Sequence, residues 1–477
     1  METAETLRGH VTNDADHPDL RGDLFPVDRE LESACDVIGD LPQGLRGQFV
    51  RNGPNPMFEP IGKYHTFDGD GMLHGVDFQG DRVLYRNRWI RSRGLEAEMA
   101  LGRAVYPGLS DVMNFPDPAL VGDAGPIKNR ANTHIVRHAD RLFALWEQGL
   151  PTEIAHDLST VGEWNFGGKL EGAMTAHPRI DPRTGEMLFF SYNLFPPFLT
   201  YYVADGRGEL VHRVDLDLPA PIMMHDFVIT EDYAVFMDSP VVFNMEGLSK
   251  GEPMMVWRPA NGTRLGVIPR RGSADDIRWF EVEPSHVQHF WNAWQDGARI
   301  ELAGCRYPEV DFGLETEGSD DDSGVGTIGS FPARYWIDLD AGTAGWAPID
   351  DMLGEFGRIN DDLTGLRTNC LYMAAFTRAG AIAGDFDTIV KYETKSDRRQ
   401  TWYAGDTGHL GEAVFAPDPG GSAEDDGWVL TSLHDSATRE SQVVVFDAHD
   451  ITSGPVARVK IPQRLPFGFH ANWFAAA

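Results

Sequence analysis

The feature that most constrains this chain is a turn signal followed by a short β-rich run, repeated along its length. Gly80-Asp81 precedes Val83-Leu84-Tyr85, Ala139-Asp140 precedes Leu142-Phe143-Ala144-Leu145, and Thr184-Gly185 precedes Met187-Leu188-Phe189-Phe190. Glu231-Asp232, Asp296-Gly297 and Asp426-Gly427 open Tyr233-Ala234-Val235-Phe236, Ile300-Glu301-Leu302 and Trp428-Val429-Leu430 in the same way. Second runs such as Arg334-Tyr335-Trp336-Ile337-Asp338 and Val443-Val444-Val445-Phe446-Asp447 end in an acid. Units at a loose spacing of roughly 45 to 65 residues, with few long helical periods, point to an all-β repeat such as a propeller. Two stacked β-sandwiches would produce similar runs, so periodicity leaves both open.

A chain of 477 residues would ordinarily divide into two or three domains. The repeats favour one large all-β domain over 20–477, preceded by a flexible segment over 1–19. Segments 96–105 and 118–127 are less strand-like and read as helical or loop insertions. The stretch 313–329, with Glu315, Glu317 and Asp320-Asp321-Asp322 among Gly and Ser, reads as a solvated loop without the alternation of a calcium site.

Composition narrows the partners. With 73 acidic against 41 basic residues and a formal charge of -32, the chain has little with which to neutralise phosphates, so no nucleic-acid partner is expected. The same balance opposes electrostatic docking on an anionic membrane, while leaving apolar peripheral contact open. Cys35, Cys305 and Cys370 are far apart and lack CxxC spacing, which fits a reducing cytoplasm. Residues 1–19 have no apolar core of a signal peptide, and no run reaches about 18 apolar residues, so neither classical secretion nor a membrane span is expected.

Chemistry is carried by a few of the 16 histidines. His10 and His17 fall in the N-terminal segment, and His138, His212, His409 and His449 stand beside polar or turn residues, where exposure is the default. His177, His225, His289 and His470 instead occupy apolar, strand-edge settings. They are 48, 64 and 181 residues apart, on different strand groups that a propeller axis could bring together. His286 lies three residues before His289, on the opposite face of a straight strand, so only one of the two can point inward. An all-imidazole set suits iron, zinc or copper, and open coordination positions favour oxygen chemistry at iron. No GxSxG elbow, P-loop or HExxH is present, Gly69-Asp70-Gly71 lacks a dinucleotide-site context, and abundant carboxylates say nothing about glycoside hydrolysis.

Arg51-Asn52-Gly53-Pro54-Asn55-Pro56 and Tyr64-His65-Thr66-Phe67-Asp68-Gly69-Asp70-Gly71-Met72-Leu73-His74 resemble the N-terminal signature of the carotenoid cleavage oxygenases. The resemblance continues through Ala176-His177-Pro178 with Asp181-Pro182-Arg183-Thr184-Gly185-Glu186, Met224-His225-Asp226-Phe227, His289 with Asn292-Ala293, and Phe467-Gly468-Phe469-His470. It runs in order from about Leu20 to the C-terminus.

That resemblance implies a seven-bladed β-propeller with a dome of loops and helices over an axial Fe(2+), one per chain. It implies His177, His225, His289 and His470 as ligands, and Glu147, Glu355 and Glu412 as carboxylates holding three of the imidazoles. Glu355 matches with Gly357 where the family commonly has proline. A carboxylate that accepts the distal imidazole N–H fixes tautomer and orientation.

The implied reaction is O2-dependent cleavage of a conjugated C=C bond into two carbonyls, with no reductant or organic cofactor. Relatives that cleave stilbenes or phenylpropenes place a lysine just before the first glutamate. Here that position is Trp146, which favours an apolar carotenoid or apocarotenoid. Phe67 matches a position near the iron and reads as a tunnel wall. Asn193-Leu194-Phe195-Pro196-Pro197-Phe198-Leu199 reads as an apolar loop at a tunnel rim, against lipid, or buried under the dome. The alternatives are cleavage of a stilbene or phenylpropene on the same iron, an isomerase-like or monooxygenase-like outcome there, and a non-catalytic propeller that binds an apolar ligand.

Overall fold

The computed structural model describes residues 11, 20–80, 82–111, 114–248, 250, 252–310, 329–378 and 385–476. Except for Val11, which packs with Leu20 and Tyr64, the segment 1–19 lies outside them, as does 313–328 of the acidic loop. Seven antiparallel sheets of four to six strands follow one another, with a separate hairpin of Val241–Phe243 and Met255–Trp257. This is the seven-bladed propeller, and the repeats are its blades.

Chain order around the ring explains both the repeat and its closure. The first blade takes its innermost strand, Ala471–Ala475, from the C-terminus, where it pairs with Gly47–Pro54. The seventh takes its outer strand, Val37–Gly39, from the N-terminus, paired with Ala457–Ile461. Both chain ends are therefore laced into blades, and Phe49, Val76, Tyr85, Leu430, Val443 and Val459 bury one joint core between the first and seventh. Each such side chain contributes roughly 1.5–3 kcal/mol when fully buried.

Burial follows position in the blade. In the third blade, Met187–Tyr192 and Leu199–Ala204 are buried at every residue, whereas Leu210–Leu216 alternates. A middle strand has neighbouring blades against both faces, so a continuous apolar run is favoured; an outer strand keeps one face in water and retains the period of two.

The two less strand-like segments overlap the helices Arg93–Leu101 and Pro118–Val121. Ser92 caps the first, accepting from Leu95 N–H, and Gly102 ends it in the left-handed conformation at φ 67°. Its Glu98 is buried against Lys128 (2.8 Å), which also pairs with Asp70 (2.7 Å) on the first blade. Burial lowers the Lys128 pKa, but Asp70 and Glu98 outweigh it and the net direction is upward. Together with the buried Arg130–Asp68 pair, this places paired charges inside the fold as well as on its surface. The buried ions tie the helical insertion to the ring.

In the loop 193–199, Leu194 and Phe198 pack on the core between the third and fourth blades, while Phe195 is 71% exposed. Among the described residues no helix is long and apolar enough to cross a membrane.

Candidate metal centre

Each blade brings a residue to the axis at or near the start of its innermost strand. His470 precedes Ala471–Ala475, His134 opens His134–His138, His177 precedes Arg179–Ile180, and His225 precedes Val228–Ile229. His289 lies within His286–Asp296, Glu355 within Gly354–Arg358, and Glu412 just before Val414–Pro417. Seven blades thus supply five histidines and two glutamates.

The ligand nitrogens of His177, His225, His289 and His470 all lie within 4.8 Å of one another. In five of the six ring pairs the centroids are 4.5–5.0 Å apart. Three rings are held from behind by carboxylates. His225 Nδ1 lies 2.6 Å from Glu147, His289 Nδ1 2.6 Å from Glu355, and His470 Nδ1 3.1 Å from Glu412. His177 has a different support, a backbone N–H donated to Thr175 Oγ1 (3.1 Å), whose hydroxyl donates to the His225 carbonyl (3.2 Å).

The carboxylates are themselves anchored. Tyr192 donates to Glu147 (2.8 Å), Phe356 N–H to Glu355 (2.7 Å), and Ala471 N–H and Arg358 to Glu412 (2.7 and 3.3 Å). Burial, followed by the neighbouring rings, holds His177 and His470 well below the usual imidazole range. Burial acts the same way on His289, but the Glu355 carboxylate outweighs it and moves the pKa up.

The residues present fit a cation. With Nδ1–H of His225 donated to Glu147, its Nε2 is a lone pair, yet it faces His177 Nε2 at 2.9 Å. Two lone pairs at that distance need a proton or a cation between them. On one ion, ligands at right angles with bonds of about 2.1 Å are about 3.0 Å apart. His289 Nε2 is also buried, with no hydrogen-bond partner among the described residues.

The N-terminal signature serves this geometry. Asn52 N–H donates to the His470 carbonyl (2.9 Å), and its side chain donates to the carbonyls of Ala131 and His134 (2.7 and 3.0 Å). A Cβ on Gly53 would sit 2.6 Å from Gly468 Cα, and one on Gly468 would sit 2.5 Å from Arg51 Nε. Gly53 is needed because the two backbones touch beside His470, and Gly468 because the Arg51 side chain fills its Cβ position.

Gly357 has a local reason too: its Cβ position is filled by the Trp291 indole, 1.1 Å away. The pairing of Glu355 and Arg358 is irregular, and Phe356 between them adopts φ 55°. Such a bulge re-aims side chains. It places the Phe356 ring 4.8 and 5.3 Å from the His470 and His289 rings.

Phe67 is half-buried against His65 and Phe469, with ring centroids 4.6 and 5.6 Å away. Trp146 is buried with the Arg130 guanidinium 5.5 Å from its ring. Phe356 also walls a cavity of about 200 Å³ with Phe386, Leu410, Leu465 and Phe467, into which Arg51 and His434 also face. On the other side, a polar cavity of about 280 Å³ is lined by His134, Arg179, Asp226, Arg358, Glu412 and three of the four histidines, among others.

Two sequence expectations need correction. His138 is buried, not exposed, with Nε2 2.9 Å from the Gly185 carbonyl, because the turn of the third blade covers it. The strand bearing His286 and His289 is not straight: its register shifts between Val287 and Asn292. Both histidines are buried, and His286 bonds to Ser239 and Gln288 (2.9 Å each), apart from the cluster. His134, Tyr192, Arg358 and Phe356 were not singled out from sequence; only the Thr-His entry into a strand at Thr133-His134 gave a signal.

Comparison with known proteins agrees with this architecture. Residues 24–475 match the family model described as retinal pigment epithelial membrane protein. The chain is 32% identical to carotenoid 9,10(9',10')-cleavage dioxygenase 1 of Arabidopsis thaliana over 99% of this chain and 93% of that one. The crystal structure of Pseudomonas brassicacearum lignostilbene dioxygenase has TM-score 0.89 at 29% identity, over 97% of this chain and 99% of that one. Cobalt-substituted Synechocystis apocarotenoid oxygenase has TM-score 0.82 at 28% identity, over 94% and 97%. The chain therefore belongs to the family of retinal pigment epithelial membrane protein and the carotenoid cleavage oxygenases.

Proposed function

We propose that this protein is a non-haem iron(II) dioxygenase that uses O2 to cleave a conjugated C=C bond of a carotenoid or apocarotenoid, giving two carbonyl products. The observation that carries this reading is the convergence of four imidazoles, three of them oriented by carboxylates. His177, His225, His289 and His470 would hold the iron. Bound there, ferrous iron would supply O2 activation; the two oxygen atoms would balance the two carbonyls, so no reductant is required.

The chain's own residues contribute position and a dry setting. Glu147, Glu355 and Glu412 accept Nδ1–H and leave Nε2 free for metal. Phe356, Phe67 and Phe469 form aromatic walls beside the cluster, suited to aligning a flat polyene and excluding water. Trp146 directly precedes Glu147, at the position where a phenol-binding lysine would favour a hydroxylated stilbene.

The likeness to lignostilbene dioxygenase supports a second reading, cleavage of a stilbene double bond on the same iron. Parallel assays of the iron-loaded protein with an apocarotenal and with 4-hydroxystilbene separate the two. The account expects turnover of the polyene to exceed that of the stilbene, and Trp146→Lys to move the ratio toward the stilbene. Faster cleavage of the stilbene by the unmodified protein would overturn the substrate assignment.

A further inference from the structure

His134 has the setting of a metal ligand but stands outside the cluster. It is the axial residue of the second blade, the counterpart of the histidines from the first, third, fourth and fifth. Its Nδ1 lies 3.0 Å from the Ala176 carbonyl, an oxygen that can only accept, so the proton is on Nδ1 and Nε2 keeps its lone pair. Three of the clustered histidines, His225, His289 and His470, likewise have Nδ1 tied back and leave Nε2 bare. His134 Nε2 is buried and has no hydrogen-bond partner among the described residues. Its ring centroid lies 5.5 Å from that of His177 and 5.2 Å from that of His470.

The surroundings say what this nitrogen is for. His134 lines the polar axial cavity. The opposite approach passes Phe356, Phe67 and Phe469. A hydrated dication loses solvation at great cost among aromatic rings, whereas a polar cavity lets it shed water in steps. Asp361 and Asp362 also line the cavity, and the Asp361 side chain is 56% exposed.

We infer that the axial cavity is the metal port of this protein and that His134 is a relay ligand: Nε2 takes an incoming divalent cation and passes it to His177 and His470. This rests on reading the four histidines as the metal site. A relay lowers the barrier in both directions, so its removal slows loading and release by one factor and leaves equilibrium affinity unchanged.

The test follows Co2+ binding to the metal-free full-length protein by stopped-flow absorbance, and release into excess chelator, for the unmodified chain, His134→Asn and His134→Phe. Stoichiometry at equilibrium reports on the four-histidine site, and the rates report on His134. Thermal unfolding of each metal-free variant establishes that it is folded, and either folded variant suffices. Expected is a fall of about ten-fold in both rates at constant affinity.

Unchanged rates would overturn the relay. Faster release with weakened affinity would also overturn it, by making His134 a resident ligand. In a second arm, the unmodified protein is loaded with its aromatic side filled by an apocarotenal. Loading is expected at the unfilled rate, and a loss of loading there would place the port on the aromatic side. If neither variant folds, this arm still decides the route.

Discussion

The two sides of the histidine cluster are built differently. On one side stand Phe356, Phe67 and Phe469, beside a mainly apolar cavity. On the other, Arg179 pairs with Asp226 and Arg358 with Glu412 among the innermost strands. The first suits an apolar substrate, and the second suits holding ligands in place and admitting an ion. Under the proposed function, one site would separate substrate binding from metal binding by polarity, so variants on the two sides should fail in different ways.

The largest effect is expected on the polar side. The Asp226 carboxylate accepts from Arg179 (2.5 Å), Phe227 N–H (2.7 Å) and Phe290 N–H (2.8 Å), linking the loop of His225 to the strand of His289. Asp226→Ala strands these donors and is expected to cost about 3–5 kcal/mol, read from denaturant unfolding. A loss below about 1 kcal/mol would mean that water replaces the carboxylate and that the network is not structural.

A smaller, more selective effect is expected from Glu355→Gln. The amide cannot reproduce a carboxylate's hold on His289 Nδ1, so metal affinity should fall about 10- to 100-fold. Competition against a chelator measures this.

Phe356→Leu should do the converse, raising KM for an apolar substrate about ten-fold while metal content stays at the unmodified level. A drop in metal content in Phe356→Leu would break the division between the two sides.

The smallest effect concerns Asp181, buried beside the polar cavity. Burial raises its pKa, but hydrogen bonds from Arg183 and Arg270 outweigh it and hold the carboxyl at about 2, against an ordinary 3.8. A depressed carboxyl contributes stability that is fully present above the ordinary value and lost as pH falls through the depressed one. The unmodified protein should therefore lose stability between about pH 4 and pH 2. Asp181→Asn should flatten that part of the profile, and an unchanged slope would show that other groups set it.

The repeats and the four axial histidines could be read in the sequence because each sits in a local pattern, a turn before an apolar run or a histidine at an apolar strand edge. Glu147, Glu355 and Glu412 could be placed only by resemblance, since acids are too common here for position alone to select three. His134, Tyr192 and Arg358 were hidden because their roles arise between blades, from chain segments 42, 45 and 54 residues away in their contacts. His138 misled for the same reason: its local neighbours are polar, but another blade covers it. The bulge at Phe356 left no sequence signal beyond Gly357, whose meaning depends on Trp291 far earlier in the chain.

The central claim is that the four-histidine cluster holds an iron that cleaves a conjugated double bond. The direct measurement is anaerobic reconstitution with Fe2+, removal of excess metal, then addition of an apocarotenal and O2 while iron content, polyene absorbance and carbonyl products are followed. Expected are one iron per chain, loss of the polyene band with two carbonyl products for each O2 consumed, and loss of both iron and cleavage in His225→Ala. A well-folded protein without stoichiometric iron, or cleavage that survives in His225→Ala, would contradict it.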